Sequence, residues 1–215
     1  MGVGMGNTKV QYRKTDPALE YMLEKTAAFH GHLCAGTVIG TRMALVGMRE
    51  IDITDPKGSQ KKDMVIYVET DRCPIDALSI VTGCRISRKN LKFLDWGKFA
   101  ATFVNVKSGK AVRIICPDST RDLVESYAEG EYSNDKDGKT AREVDAYKVM
   151  PEKELFIIQK VEVILPDSDK EKHKVKCEGC GETVNGHKEV VVDGKIMCRP
   201  CGEGESYYKI LNSNI

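Results

Sequence analysis

The chain has 215 residues, of which 41% are hydrophobic and 30% charged, and this composition fits a soluble globular protein and excludes wholesale disorder. The 33 Lys and Arg residues are matched by 32 Asp and Glu residues, so no general field attracts nucleic acid or an anionic membrane, and we expect neither as a partner. No apolar run approaches the ~20 residues that span a bilayer, and the N-terminus lacks the order of a signal peptide. The sequence therefore predicts a cytoplasmic protein.

The first predicted element is a helix that begins near residue 16. Asp16 or Thr15 is a suitable N-cap, Pro17 fits the first helical position, and Gly31 offers a stop. Small and apolar residues recur at helical spacing on one face, which ends in a histidine: Leu19, Leu23, Ala27 and His30. We therefore expect His30 to point inward.

A second helix is predicted from about Cys34 to Glu50, and it carries a stripe of small residues. The stripe consists of Gly36, Gly40, Ala44 and Gly47. Since glycine costs a helix ~1 kcal/mol per position relative to alanine, the stripe indicates the close approach of another backbone. Either the chain's own sheet or a partner helix could supply that backbone, and a partner helix would make the protein a homodimer.

The rest of the chain predicts further strands and helices, and hence an α+β fold. Composition favours strands at 64–70, 98–106, 111–116 and 154–165, with the middle two forming a hairpin, and helices at 74–83, 118–131 and 140–150, with a loop at 132–139. The charged segment 166–174 lacks apolar periodicity and is predicted to be a linker. We therefore predict a core domain over residues 1–166 and a small domain over residues 167–215.

Four cysteines in the small domain have the spacing of a zinc site. Two C-x2-C pairs are separated by 17 residues: Cys177, Cys180, Cys198 and Cys201. Between them lies a hairpin with an Asp193-Gly194 turn, and a final helix is predicted to begin at the second pair, an order that resembles a treble-clef finger. We predict a structural zinc site; two disulfides, a thiol redox pair and a rubredoxin-like iron site are the alternatives. Charge in this segment is nearly balanced, which favours a structural or protein-contact role over nucleic-acid binding.

Histidines and cysteines of the core domain form a second candidate site: His30, His32, Cys34, Cys73 and Cys84. Cys34 and Cys73 each precede a predicted helix, whose dipole should lower the pKa of the thiol. We predict that His32, Cys34 and Cys73 line one cleft and bind a second transition metal such as Zn²⁺. We expect His30 and Cys84 close by, because Cys84 shares a helical face with Cys73. A nucleophile–base pair, an anion-binding cleft and a plain buried core stay open as alternatives.

Three segments carry a resemblance to a known family. The stretches AFHGHLCAGTVIGTRMA, DRCPIDALSIVTGCRI and GKFAATFVN with SGKAVRI resemble the FmdE family of formylmethanofuran dehydrogenase proteins over roughly residues 15–165. The family usually has proline after the first cysteine, where this chain has Ala35. The four-cysteine segment resembles the treble-clef domain that some members carry.

The resemblance implies an α+β core, a homodimer and metal binding, with the five core histidines and cysteines as cleft residues. Family members are associated with the molybdenum or tungsten enzyme that reduces CO2 onto methanofuran in methanogenesis. An accessory or subunit protein linked to formylmethanofuran dehydrogenase is thus the first hypothesis. A stand-alone metalloenzyme and a dimeric zinc-finger interaction protein are the others, and the sequence leaves open whether the core is catalytic. No iron–sulfur motif is present, so a redox cofactor would lie on a partner subunit.

Overall fold

The computed structural model describes residues 14–165, 173–204, 206–209 and 211. The chain divides into two compact units, residues 1–163, here called the core unit, and residues 164–215, the finger unit. Most of the predicted linker at 166–174 lies outside the described residues, and the domain boundary at 166 stays a prediction. No helix in the described part of the chain is long and apolar enough to cross a membrane.

The core unit mixes helices with one sheet, as an α+β fold requires. Its α-helices are α1 (Pro17–His30), α2 (Ala35–Glu50), α3 (Pro74–Thr82), α4 (Val124–Tyr127), α5 (Lys136–Val149) and α6 (Glu152–Leu155). Its strands are β1 (Met64–Val68), β2 (Leu91–Phe93), β3 (Ala100–Asn105), β4 (Ala111–Ile115) and β5 (Ile157–Lys160). The predicted α+β class is therefore confirmed.

The first three helices begin and end where the local chemistry requires. The Asp16 carboxylate caps α1 by accepting the N–H groups of Ala18 and Leu19, and Gly31 ends the helix in the left-handed region at φ 95°. Cys34 is the N-cap of α2 and Cys73 that of α3, as predicted. The turns before these helices thus determine where the core cysteines lie.

The strands form a five-stranded sheet in the order β2-β1-β3-β4-β5. Only β1 and β2 pair in parallel; the others are antiparallel, and β3 and β4 form the predicted hairpin. The central strand β3 is buried along its whole length, with Phe103 opposite Ile66 on one side and Val112 on the other. Helix α2 contacts β3 and β4 as well as α1, α3 and α5, so it lies at the centre of the core.

The small-residue stripe on α2 packs inside the core unit. A Cβ atom on Gly40 would lie 2.7 Å from the Cα of Pro74, and one on Gly47 would lie 2.5 Å from the ring of Phe103. These distances are shorter than van der Waals contact allows, so glycine is required for α2 to reach α3 and the sheet. The stripe therefore gives no support to a homodimer, which stays a prediction.

The segment after β4 differs from the sequence prediction. The helix predicted at 118–131 is a 3₁₀ turn at Asp118–Leu123 followed by the short α4. Helix α5 begins inside the predicted loop, because the Asp135 carboxylate accepts the N–H of Gly138 at 2.8 Å and caps it there. The last predicted strand shrinks to β5, since α6 occupies the residues after Pro151.

The finger unit consists of two hairpins and a short helix. Strands β6 (Lys174–Lys176) and β7 (Thr183–Asn185) form the first hairpin, and β8 (Val190–Val192) and β9 (Lys195–Met197) form the second. The predicted Asp-Gly turn is confirmed, with both residues in the left-handed region. Helix α7 (Arg199–Glu203) has Cys198 as its N-cap, so the second cysteine pair lies at a helix start, as predicted.

Candidate metal centres

The core unit brings one histidine and two cysteines together from three helices. His30 is the last residue of α1, and Cys34 and Cys73 precede α2 and α3. One ligand atom from each of these residues lies within 4.8 Å of the other two. All three side chains are partly buried. Histidine nitrogen with two cysteine sulfurs is a donor set that suits zinc and other borderline or soft transition metals.

Close packing of α2 against α3 brings the two cysteines together. A Cβ atom on Gly36 would lie 2.8 Å from the Cβ of Cys73, so any larger residue would push the helix starts apart. The Thr37 hydroxyl accepts the N–H of Cys34 at 2.9 Å and donates to its carbonyl at 2.8 Å. The backbone of Cys34 is therefore held in a fixed position relative to α2.

The imidazole of His30 is oriented by a carboxylate. Its Nδ1 lies 2.7 Å from Oδ2 of Asp76, in the first turn of α3. A neutral imidazole that donates from Nδ1 keeps a lone pair on Nε2, and this Nε2 lies 4.0 Å from the Cys34 sulfur. A carboxylate that fixes the free ring nitrogen is the usual companion of a metal-binding histidine. The sequence analysis did not select Asp76, because an acidic residue at a helix start needs no ligand to explain it.

The structure places His30 in the three-residue set, where the sequence predicted His32. His32 is exposed, and its ring centroid lies 4.9 Å from that of His30. Cys84 is not brought to the cluster, because α3 ends at Thr82 and Gly83 turns away at φ 74°. Nine helical residues separate the two cysteines by ~13 Å along the axis, and Cys84 is only 2% exposed within the hydrophobic core.

The predicted lowering of thiol pKa values does not hold for Cys73. Burial raises the pKa of the Cys73 thiol, and the neighbouring Cys34 sulfur raises it further. The helix start is a weaker influence than removal from water and a second thiolate. The expectation based on the helix dipole alone was therefore wrong for this residue.

A cleft of about 1010 Å³ opens beside Cys73. Two acidic residues, Asp118 and Glu143, line it together with six basic ones: Arg72, Lys98, Arg113, Arg121, Lys136 and Lys139. Arg113 is already paired, since its guanidinium donates two hydrogen bonds of 2.7 Å to the buried carboxylate of Glu69. The remaining excess of positive charge makes the cleft a suitable place for an anion.

The four cysteines of the finger unit form a second, closed cluster. Their sulfur atoms all lie within 4.8 Å of one another, and those of Cys180 and Cys198 are 3.8 Å apart. Two thiolates on a tetrahedral zinc ion at ~2.3 Å are separated by ~3.8 Å, so the spacing fits zinc. The residues present therefore suit a four-thiolate zinc ion and leave no ligand position open.

Electrostatics in this cluster favour a cation. Backbone N–H groups of Cys198 and Cys180 lower the pKa of the Cys177 thiol to about 6. The neighbouring thiols of Cys198, Cys177 and Cys180 raise the pKa of Cys201 to about 12. Four adjacent sulfurs cannot all ionise alone, and a bound zinc ion supplies the compensating charge.

The comparisons with known proteins agree with this arrangement. Residues 172–207 match the family model of the prokaryotic DksA/TraR C4-type zinc finger. A probable S-adenosyl-L-methionine-binding protein of Archaeoglobus fulgidus is 28% identical over 229 aligned positions, which cover 98% of this chain but 61% of the relative. The chain thus spans less than two thirds of that relative's length.

A solved structure shares the fold. The crystal structure of a tungsten formylmethanofuran dehydrogenase FmdE-like protein from Syntrophus aciditrophicus superposes with a TM-score of 0.60 at 21% identity, covering 88% of this chain and 95% of that one. Residues 29–157, more than half of the chain, match the family model described as FmdE, molybdenum formylmethanofuran dehydrogenase operon. The His30, Cys34 and Cys73 cluster lies inside the matched residues. The chain belongs to the FmdE family.

Proposed function

We propose that the core unit binds one transition-metal ion through His30, Cys34 and Cys73, and that this ion is the functional centre of the protein. The observation that carries the proposal is the convergence of three ligand atoms within 4.8 Å from three helices, with His30 held by Asp76. Three protein ligands leave a tetrahedral ion one open position, which is the pattern of sites that bind or transform a ligand.

The distances support ligation with little rearrangement. The Nε2 of His30 and the sulfur of Cys34 are 4.0 Å apart. On a tetrahedral ion with bonds of ~2.1 Å and ~2.3 Å, these two atoms would be ~3.6 Å apart. Partly buried side chains can close that difference through small rotations. The open position would face the positively charged cleft beside Cys73.

A structural zinc ion in the finger unit completes the proposal. The match to a C4-type zinc finger and the 3.8 Å separation of two of its sulfurs support zinc there. The order of cysteine pair, hairpin, cysteine pair and helix supports the treble-clef assignment. With all four positions filled by thiolates, this ion would serve the fold of the finger unit and not chemistry.

Metal analysis of variants tests the core site. We expect wild-type protein to retain two tightly bound metal equivalents after gel filtration and Cys34→Ala with Cys73→Ala to retain one. The matched control replaces two core thiols outside the cluster, Cys84→Ala with Cys116→Ala, and should keep both equivalents. Asp76→Asn should keep the fold and weaken core metal binding by about 10- to 100-fold, because it removes the carboxylate that orients His30. An unchanged metal content in the Cys34/Cys73 variant would refute the core site.

We further propose that the protein acts as an accessory or subunit protein of formylmethanofuran dehydrogenase. The description of the matching family and the name of the protein in the similar solved structure support this link. A homodimer is proposed with it, formed across the exposed aromatic side chains of Tyr21 and Phe29 on α1, which are 54% and 60% exposed. A second copy covering this surface would remove two large apolar groups from water.

Purification of the tagged full-length chain from the cells that make it tests the partner. We expect a large molybdenum- or tungsten-containing protein to remain bound through moderate salt, and Cys34→Ala with Cys73→Ala shows whether the core metal is needed for that contact. Sedimentation of the purified chain measures the dimer, which Phe29→Asp should dissociate. Purification without any molybdenum or tungsten would contradict the accessory role.

The positively charged cleft favours a second candidate, a stand-alone metalloenzyme acting on an anionic substrate. The name of the Archaeoglobus relative suggests S-adenosyl-L-methionine, whose sulfonium cation is a poor match for a cleft with excess positive charge. Phosphate or carboxylate groups match it better. Metal-dependent turnover of a phosphorylated or carboxylated compound by the isolated chain would support this candidate over the accessory role.

A further inference from the structure

Two histidines and a glutamate in the finger unit form a third cluster, separate from the cysteines. His173 lies just before β6, His187 follows β7, and Glu189 precedes β8. The N–H of Gly186 donates to the carbonyl of His173 at 3.1 Å, which holds the two ends of the first hairpin together. The three side chains therefore meet at the end of that hairpin, where it leads into the second.

The geometry of the cluster directs its ligand atoms toward one another. Oε1 of Glu189 lies 2.7 Å from Nε2 of His173 and 4.0 Å from Nδ1 of His187. The two imidazole rings stack with centroids 3.8 Å apart and planes inclined by 16°. One ligand atom from each of the three residues lies within 4.8 Å of the other two. His187 reaches this position from the left-handed region, at φ 55°.

An ion pair alone does not account for this arrangement. The contact with His173 uses Oε1 of Glu189, while Oε2 is buried and has no hydrogen-bond partner among the described residues. A buried carboxylate oxygen without a partner is costly. A cation bound between the carboxylate and the two imidazoles would compensate it.

We propose that His173, His187 and Glu189 form a second metal site of the finger unit, for a divalent ion such as Zn²⁺, Co²⁺ or Ni²⁺. Two imidazoles and one carboxylate are ligands that such ions accept, and they leave positions open to water. Four residues of extended chain place His173 ~13 Å from Cys177, so this site would not share the zinc ion of the cysteines. The ion would connect the start of β6 to the start of β8.

Cobalt titration of the full-length protein tests this site. The tight sites are first filled with zinc, excess metal is removed, and Co²⁺ is added. We expect one further equivalent to bind, with visible d–d absorption but without the sulfur-to-cobalt charge-transfer bands of a thiolate site. His187→Ala should weaken this binding by at least about tenfold, because even a group that only supports a metal ligand contributes about 10- to 100-fold to affinity.

Two further variants make the result decisive. Lys188→Ala, an exposed neighbour, is the matched control and should bind Co²⁺ as the wild type does. Glu189→Gln preserves the shape of the side chain and should weaken binding as His187→Ala does, so it decides the matter if His187→Ala loses its zinc. Absence of a further equivalent in wild type, charge-transfer bands from sulfur, or equal affinity of Glu189→Gln would each overturn the proposal. Because Cys34→Ala with Cys73→Ala leaves this site intact, its outcome is independent of the core metal.

Discussion

Replacement of Cys198 by serine is expected to release the zinc ion and unfold the finger unit. Its strands have three residues each, and among the described residues of this unit only Cys177 is a buried hydrophobic residue. So small a core cannot offset the entropy of ordering the chain, and structural zinc supplies folding free energy on the order of 10 kcal/mol in small zinc domains. Serine is itself a good N-cap, so the start of α7 is not weakened by the change.

Zinc content and limited proteolysis measure this effect together. Cys198→Ser should lose one zinc equivalent and become sensitive to protease after residue 173, while fragments of the core unit stay resistant. Cys116→Ser is the matched thiol-to-hydroxyl change outside both cysteine clusters and should keep its full zinc content. A Cys198→Ser protein with unchanged zinc and protease resistance would show that the four cysteines do not form the zinc site.

Helix starts were the most predictable part of the fold. Asp16, Pro17 and Gly31 are local signals, since each acts through its own backbone or a neighbour within a few residues, and α1 begins and ends where they indicate. The Asp193-Gly194 hairpin is local in the same way. Such signals need no knowledge of the tertiary structure.

Elements that depend on distant contacts were less predictable. Cys84 was assigned to the face of Cys73 by helical periodicity, but the periodicity ends with the helix at Thr82. The start of α5 was missed because Asp135 and Gly138 are typical of loops as well as of helix caps. The small residues of α2 indicated a close neighbour, and only the fold shows that this neighbour is α3 and the sheet of the same chain.

The core site shows the same division. The sequence identified the cysteines at the starts of α2 and α3, since both precede helices in recognisable turns. It could not choose between His30 and His32, because the choice depends on the direction of the chain through Gly31. Asp76 was missed for a related reason: it becomes a partner of His30 only when α1 and α3 pack together, 46 residues apart in sequence.

Replacement of Gly40 by leucine is expected to destabilise the core unit by about 3 kcal/mol, the upper end of typical overpacking. The first added carbon would lie 2.7 Å from the Cα of Pro74 and 2.8 Å from the Cβ of Ala77. Backbone cannot move aside as a flexible side chain can, so α2 and α3 must separate. That movement would also draw Cys34 away from Cys73, and we expect core metal binding to weaken together with stability.

Thermal unfolding and metal analysis measure both consequences. For a protein of this size, about 3 kcal/mol corresponds to a fall in Tm of about 10 °C. Glu24→Leu adds the same side chain at an exposed position of α1 and should change neither Tm nor metal content appreciably. If Gly40→Leu instead kept its Tm and core metal and only dissociated a dimer, the stripe would be an interface between copies of the chain and not an internal contact.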